Sequence, residues 1–592
     1  MPNKEYSFDD LNLEKSFKNY FYIVPDYQRE YVWEAEKHVA QLLTDVYDAY
    51  SADKTKEYFI GTTVVFHDNN TNYCELIDGQ QRTTTLFLIL CAFRNIYREN
   101  GIGTNAIDSL IFESTYDKQG NEVNKYHLEL QYEDSSDILE ALAENKIVDN
   151  HNSKSGRRIE AAYRSIYQFI KDNTDNNLEE LKGMFLYFFR KLKFIQISTP
   201  DINDALKIFE TINERGEGLN PMDLLKNLIF RQVGRNDFDK LKDKWRQLVS
   251  MLEKEKEKPL RFLRYFLMSN YPSFKNGVRG DENTVREDEI YKWMTDEENA
   301  KKCNYEKEPF KFVDLLLDNA KCYINFAKGK DKNGNRSPYL DNIIRLGGGA
   351  FRQHLIVLLA ARNLPEDSFS LLARNIENYL FYALFTKVQA KVFEKLFAKW
   401  NLTLINVKNY EQMAAFVETY IKPEIDKLSA EYKARFFIFK QSDLQQYRVR
   451  YILAKLSQYV DMAHNGNNSL QPLDNYFKSG IEIEHILPQK PTEEMHAKFE
   501  NYEELVPMLG NLTLLEKPMN SSIKRGPYEE KVVVYKTSSI YLTKSLYELD
   551  EVGINTSVTR INEKLSPFDH WDAETIAKRQ ELLYNLSLEI WK

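Results

Sequence analysis

Ile77-Asp78-Gly79-Gln80-Gln81-Arg82-Thr83 joins two unlike patterns, and reading it sets the fold of the first part of the chain. Before it, Tyr58–Phe66 is rich in Thr, Val and Phe and Tyr73–Ile77 is a second short apolar run, so both read as strands. After it, Thr84–Tyr97 reads as a buried helix. The first module is therefore α+β. At the junction Gly79 can make a tight turn, and the backbone N–H groups that follow can point outward to an anion at the helix N-terminus. Arg82 can add a bidentate, charge-assisted contact, and Asp78 can hold a metal ion or orient water. The same strand, turn and helix also describe an ordinary capped helix, and no Walker-type Gly-Lys-Ser/Thr loop supports a nucleotide site independently.

Upstream, Val24–Trp33 places Gln28 and Arg29 among aromatics after a Pro-fixed turn, which suits pairing with phosphate or stacking on a base and equally suits a structural ion pair. Downstream, the helical stretch from Asp201 to Val233 is broken by Asn213, Gly216, Gly218 and Pro221, so a functional loop between helices is expected. Helical periodicity dominates from Asp237 to Val460, as in Leu260, Leu263, Phe266 and Leu267, and the Lys/Glu run from Glu253 to Lys258 reads as a solvated helix face.

At 592 residues the chain exceeds one hydrophobic core, so two or three domains are expected. With 43% hydrophobic and 29% charged residues it is globular rather than disordered. No apolar stretch approaches the roughly 20 residues that span a bilayer, and no signal pattern opens the chain, so a cytoplasmic protein without membrane contact is expected. Cys74, Cys91, Cys303 and Cys322 form no Cys-x-x-Cys pair and read as reduced, buried small hydrophobes. The net charge of -9 opposes general coating of nucleic acid, so any DNA contact must be local.

Near the other end, Ile481-Glu482-Ile483-Glu484-His485-Ile486-Leu487-Pro488-Gln489 alternates as a strand and stops at a Pro turn, with Glu484 and His485 expected to be exposed. Leu509–Leu515 gives a turn and a second strand, and Asn520 follows Pro518 near a helix start. Phosphodiester hydrolysis needs a base to take a proton from water and a divalent cation to stabilise developing charge. His485 can be the base, Glu484 and Asn520 are hard oxygen ligands for Mg²⁺ (or Mn²⁺ or another divalent cation), and Asn511 can brace the loop.

Taken together these segments carry a resemblance. Pro25-x-Tyr27-Gln28-Arg29-x-Tyr31-x-Trp33, then Asp78–Arg82, then Phe209-Glu210-Thr211-Ile212-Asn213-Glu214-Arg215-Gly216 with Leu219, Asp223, Leu224, Lys226 and Asn227 resemble, in order, a bacterial family related to the ParB/sulfiredoxin fold. The resemblance implies a module that binds and hydrolyses a nucleoside triphosphate (ATP, GTP or another). Asp78, Gly79, Gln80, Gln81, Arg82 and Thr83 would line its site, joined by Gln28, Arg29, Asn213 and Arg215. Glu484-His485-Ile486, Gly510-Asn511-Leu512 and Asn520 resemble the HNH, or ββα-metal, nuclease fold, with Asn520 replacing the last histidine, and Lys524, Arg525 and Lys531 trail it as DNA-backbone contacts. Trp571, Ile576 and Arg579 fit the final helix of that module.

The pairing looks like the GmrSD family of type IV, modification-dependent restriction enzymes, and also like the related nucleases of phosphorothioate-sensing phage defence. It implies a predominantly helical α+β chain with a nucleotide domain over 1–235, a helical connector over 236–450 and an HNH domain over 451–592. The implied function is NTP-regulated cleavage or nicking of modified phage DNA, with homodimerisation expected by analogy. A nucleotide-gated DNA-binding regulator with an inactive HNH fold, and an RNA-directed nuclease toxin, remain alternatives.

Overall fold

A computed structural model describes residues 6–25, 28, 30–67, 72–117, 119–132, 135–146, 153–174, 177–200, 204–205, 208–209, 221–230, 232–233, 235–273, 283–349, 351–467, 472–523, 525–551, 553 and 555–592. It is a predominantly helical α+β protein. The chain divides into two compact units, Met1–Arg246 with Asn304–Val313, and Gln247–Cys303 with Asp314–Lys592. Among the described residues no helix is long and apolar enough to cross a membrane.

The first unit is built on six strands: β1 (Ser7–Asn12), β2 (Phe21–Val24), β3 (Tyr58–His67), β4 (Tyr73–Asp78), β7 (Leu128–Leu130) and β8 (Leu192–Thr199), in the order β1-β8-β3-β4-β2-β7. A separate ribbon pairs β5 (Phe112–Tyr116) with β6 (Glu122–Tyr126). The apolar run after Gly79 forms α1 (Gln80–Glu99), which is buried along nearly its whole length and packs on α2 (Lys154–Thr174). A helix hydrophobic on all sides belongs inside a core. Leu86, Phe87, Leu90 and Phe93 of α1 join Val65 and Leu76 of the sheet there. On the other sheet face, Val64, Phe66 and Ile77 meet Ala205 and Phe209, with Leu224 of α3 (Pro221–Phe230) packed against them.

The second unit is a helical assembly holding one two-stranded sheet. Its long helices include α4 (Glu366–Phe385), α5 (Gln446–His464) and, at its far end, Ala573–Trp591. Trp591 stacks on Phe381 of α4 with ring centroids 3.7 Å apart, and its indole donates to the Tyr451 hydroxyl of α5 at 3.3 Å. Tyr451 in turn donates to buried Glu377 at 2.6 Å, where Lys455 supplies the counter-charge at 3.1 Å. The helical middle and the C-terminal strands thus share one unit. The run Glu253–Lys258 departs from a solvated face at one residue: Glu257 is buried, because Arg261, Arg352 and the Tyr323 hydroxyl converge on its carboxylate.

Candidate functional site

Strand β9 (Ile481–His485) pairs antiparallel with β10 (Leu512–Glu516), setting His485 opposite Leu512 and Glu484 opposite Thr513. Two helices follow, α6 (Lys517–Ile523) and α7 (Tyr528–Tyr535), and α8 (Ala573–Trp591) closes the module. The order is strand, strand, helix, and Asn520 lies in α6 three residues after its start at Lys517, near the helix start as expected. Ile486, Leu487, Leu515, Tyr528, Tyr535 and Trp571 form a common apolar core beneath it.

Side chains alternate along a strand, so Glu484 and His485 point to opposite faces. The expectation that both are exposed is corrected here, since Glu484 is only 5% exposed. Its Oε1 accepts from Lys531 Nζ at 2.6 Å and from the Tyr535 hydroxyl at 2.9 Å. Among the described residues Oε2 takes no hydrogen bond, so one oxygen is held and the other remains for a ligand. Lys531 is likewise corrected as a DNA-backbone contact: it is 0% exposed, and its ammonium is spent on Glu484 and on the His485 carbonyl at 2.8 Å. Burial depresses its pKa, while Glu484 opposes that shift. Arg525 is exposed after α6 and open to a phosphate, and Lys524 lies outside the described residues.

The His485 ring is half-buried, and its Nε2 lies 2.9 Å from Gln441 Oε1 and 3.2 Å from Gln489 Nε2. Burial, and secondarily the Lys531 charge, push its pKa down to about 4, so the ring is neutral at neutral pH. Gln441 was not legible in the sequence. It sits in a short helical turn, Gln441–Asp443, at the end of the periodic middle, with no motif around it. Asn520 donates from Nδ2 to Glu482 Oε2 at 2.9 Å, and Lys517 Nζ lies 3.4 Å from Glu482 Oε1. Glu482, passed over in the sequence, thus joins the Asn520 network on the Glu484 face, while His485 belongs to the Gln441 network.

Asn511 is fully buried and makes every hydrogen bond an amide can make. Its Oδ1 accepts from Leu487 N at 2.6 Å and Trp571 Nε1 at 3.0 Å, and its Nδ2 donates to Leu487 O at 3.0 Å and Val506 O at 2.9 Å. It braces the loop after His485 and has nothing left for a substrate. Gly510 beside it is packed so closely that a Cβ would sit 2.3 Å from Ile576 O. Buried Arg579 donates to Gly510 O and Leu512 O, both at 2.7 Å.

Among the described residues no group of three or more His, Cys, Asp and Glu side chains converges as a metal cage. The donors present, a half-held Glu484 carboxylate and the Asn520 amide beside Glu482, fit a cation such as Mg²⁺ that keeps most of its waters.

In the first unit, Gly79 adopts φ +89°, and a Cβ there would lie 2.8 Å from Thr63 Oγ1, so the turn requires glycine. Thr83 N closes the first turn of α1 on Gly79 O at 2.9 Å. Gln80 and Thr83 are buried, and Gln81 is spent on backbone: Oε1 accepts from Val32 N at 2.7 Å and Nε2 donates to Glu30 O at 3.0 Å. With Tyr31 and Thr85 hydroxyls 2.8 Å apart, the segment bearing Gln28 is pinned to the first turn of α1. Arg82, half-buried, donates to Thr62 O at 3.2 Å, and desolvation lowers its pKa against the pull of Asp78. Among the described residues, Gln28 Nε2 and both amide atoms of Asn227 on α3 are buried without a partner. Arg29, Asn213 and Arg215 lie outside the described residues.

Two family models match the chain. Residues 10–230 match the GmrSD restriction endonuclease N-terminal domain, and residues 426–586 match the GmrSD restriction endonuclease C-terminal domain. No curated protein matches. The first match spans the strand, turn and helix around Asp78–Arg82, and the second spans β9, β10 and the helices that brace them. With both domains present in this order, the chain belongs to the GmrSD-like type IV restriction endonuclease family, DNA-cleaving enzymes of restriction defence.

Proposed function

We propose that the chain is a metal-dependent, HNH-type endonuclease for modified phage DNA, gated by a nucleoside triphosphate bound in its first unit. The observation that carries the nuclease reading is the fixing of His485 from two sides: its carbonyl is held by Lys531 and its ring by Gln441. In the tautomer whose Nε2–H donates to Gln441 Oε1, rather than accepting from Gln489 Nε2, the lone pair resides on Nδ1, the nitrogen that takes a proton from water. Burial keeps that imidazole neutral and ready to accept. Glu484 through Oε2, and Asn520, on the face opposite the His485 ring, would hold a divalent cation that supplies stabilisation of the developing phosphate charge when bound, and a phosphate lying across the end of β9, where His485 is the last residue, would meet both. Glu482 orients Asn520, Asn511 fixes the loop, and Arg525 meets the backbone.

The nucleotide reading rests on the first turn of α1, where a glycine turn and a half-buried arginine lie together, and on Gln28 Nε2, buried without a partner among the described residues in the segment tied to that turn through Glu30 and Val32. A buried donor without a partner costs about 1–3 kcal/mol, which a bound polar ligand recovers. Asp78 and Arg82 would address phosphates and their cation.

The test is cleavage of unmodified, glucosylated-hydroxymethylcytosine and phosphorothioate DNA with Mg²⁺, with and without each NTP, against His485→Ala. Cleavage that depends on modification and nucleotide and falls by about two to four orders of magnitude in His485→Ala supports the reading. Equal cleavage by His485→Ala, or none of any DNA by the parent, overturns it.

A further inference from the structure

Behind the His485 loop, within the second unit, lies a cleft of about 610 Å³. Its floor is apolar and aromatic, made by Leu487 and Pro488 of the loop itself with Phe499, Tyr528 and Trp571. Trp571 is stacked on Tyr528 with centroids 5.0 Å apart and edge-on to Phe568 at 5.5 Å, so this floor is preformed. The rim is acidic. Glu500, Glu529, Asp572 and Glu574 line it; Asp572 lies 3.3 Å from His570 and Glu574 2.7 Å from Lys578, while Lys498 is drawn to Glu494 at 3.6 Å, so Glu500 and Glu529 are the rim carboxylates outside any ion pair among the described residues. Hydrogen bonds from Thr575 hold the Asp572 carboxyl below the usual range, so it stays ionised.

With Asp572 and Glu574 paired and Glu500 and Glu529 unpaired among the described residues, the rim stays acidic and repels a phosphodiester, so this cleft is not part of the DNA path. Its charge and floor are complementary to a polypeptide segment that carries lysine or arginine around an apolar anchor, with the anchor on Trp571 and Leu487 and the cations on the rim. Its volume matches one or two side chains in a pocket rather than an extended interface. We propose that this cleft is a docking site for such a basic segment of a protein partner. Coupling to the nuclease centre is built in, because Asn511 Oδ1 is shared by Trp571 Nε1 and Leu487 N. Whatever presses on Trp571 is felt two residues from His485.

The test is calorimetric titration of the whole chain, without DNA or divalent cation, with Ac-Lys-Leu-Lys-Phe-Lys-amide and the charge-reversed Ac-Glu-Leu-Glu-Phe-Glu-amide. Omitting DNA and metal separates failure here from failure of the nuclease reading. Saturable binding of the basic peptide alone is expected, weakened at least about tenfold by Glu500→Lys with Glu529→Lys, two exposed positions outside any ion pair among the described residues, with the variant's fold checked by its melting temperature. No saturable binding, equal binding of both peptides, undiminished binding by the reversed-charge variant, or displacement by a short thymidine oligonucleotide overturns the proposal.

Discussion

Replacing Asn511 by alanine strands four groups at once: the Leu487 and Val506 carbonyls, the Leu487 N–H and the Trp571 indole. Each buried group left unpaired costs about 1–3 kcal/mol, so we expect a loss of at least about 3 kcal/mol, read by chemical denaturation. Lys531→Met leaves the Glu484 carboxylate buried without its cation, an expected loss of about 3–5 kcal/mol. Adding Glu484→Gln should restore much of that stability and none of the cleavage, which distinguishes a broken ion pair from general damage. Gln441→Leu acts on one hydrogen bond to a half-buried ring. It should keep the melting temperature within a degree or two and lower kcat about tenfold or more by releasing the imidazole tautomer. An unchanged kcat would remove Gln441 from the site.

At the scale of elements, the turn before β10 is shaped by α8. Gly510→Ala would drive a methyl into Ile576 O, and neither side is a flexible side-chain end, so backbone must shift. We expect a clear fall in melting temperature with loss of cleavage, checked by calorimetry alongside activity. Much of this was legible in the residues. Strict alternation over Ile481–His485, the Gly79 turn and the apolar run into α1 gave strands, turn and helix at nearly their final positions. Burial was not legible at Glu484, because alternation assigns a face without saying what covers it. Here Lys531 and Tyr535, from a helix after the motif, cover the face expected to meet solvent. Lys531 reads as a trailing basic residue until its 0% exposure is known. Gln441 and Glu482 escaped for a different reason: their roles are set by contacts across the chain or the strand face, which periodicity does not encode.

For the molecule as a whole, acid should act through buried histidines. His354 is buried with neither ring nitrogen paired among the described residues, stacked flat on Phe351, and burial pushes its pKa down to about 3. The unfolded chain takes up this proton near pH 6.5, so between about 6.5 and 3 the unfolded state holds more protons and stability falls as pH falls. His485 contributes the same sign down to about 4, whereas Asp461, raised to about 6 by burial, opposes it. His354→Phe removes this titration, so whatever the packing change does at pH 7, the variant's melting temperature should gain on the parent's by a margin that widens from about pH 7 to pH 5. A margin that narrows would assign the acid sensitivity elsewhere.

The grip of Arg579 on Gly510 and Leu512 spans 69 residues of sequence. A ribosome adding roughly 5–20 residues per second needs about 3–14 seconds to cover that distance. From Asn520 to Trp571, most of that interval, the nascent chain carries His485, Asn511 and Asn520 yet lacks both the tryptophan and the arginine that fix their turn. A product that stops before Arg579 would carry His485, Asn511 and Asn520 without the donors that fix Gly510 and Leu512, and we expect it to cleave no DNA.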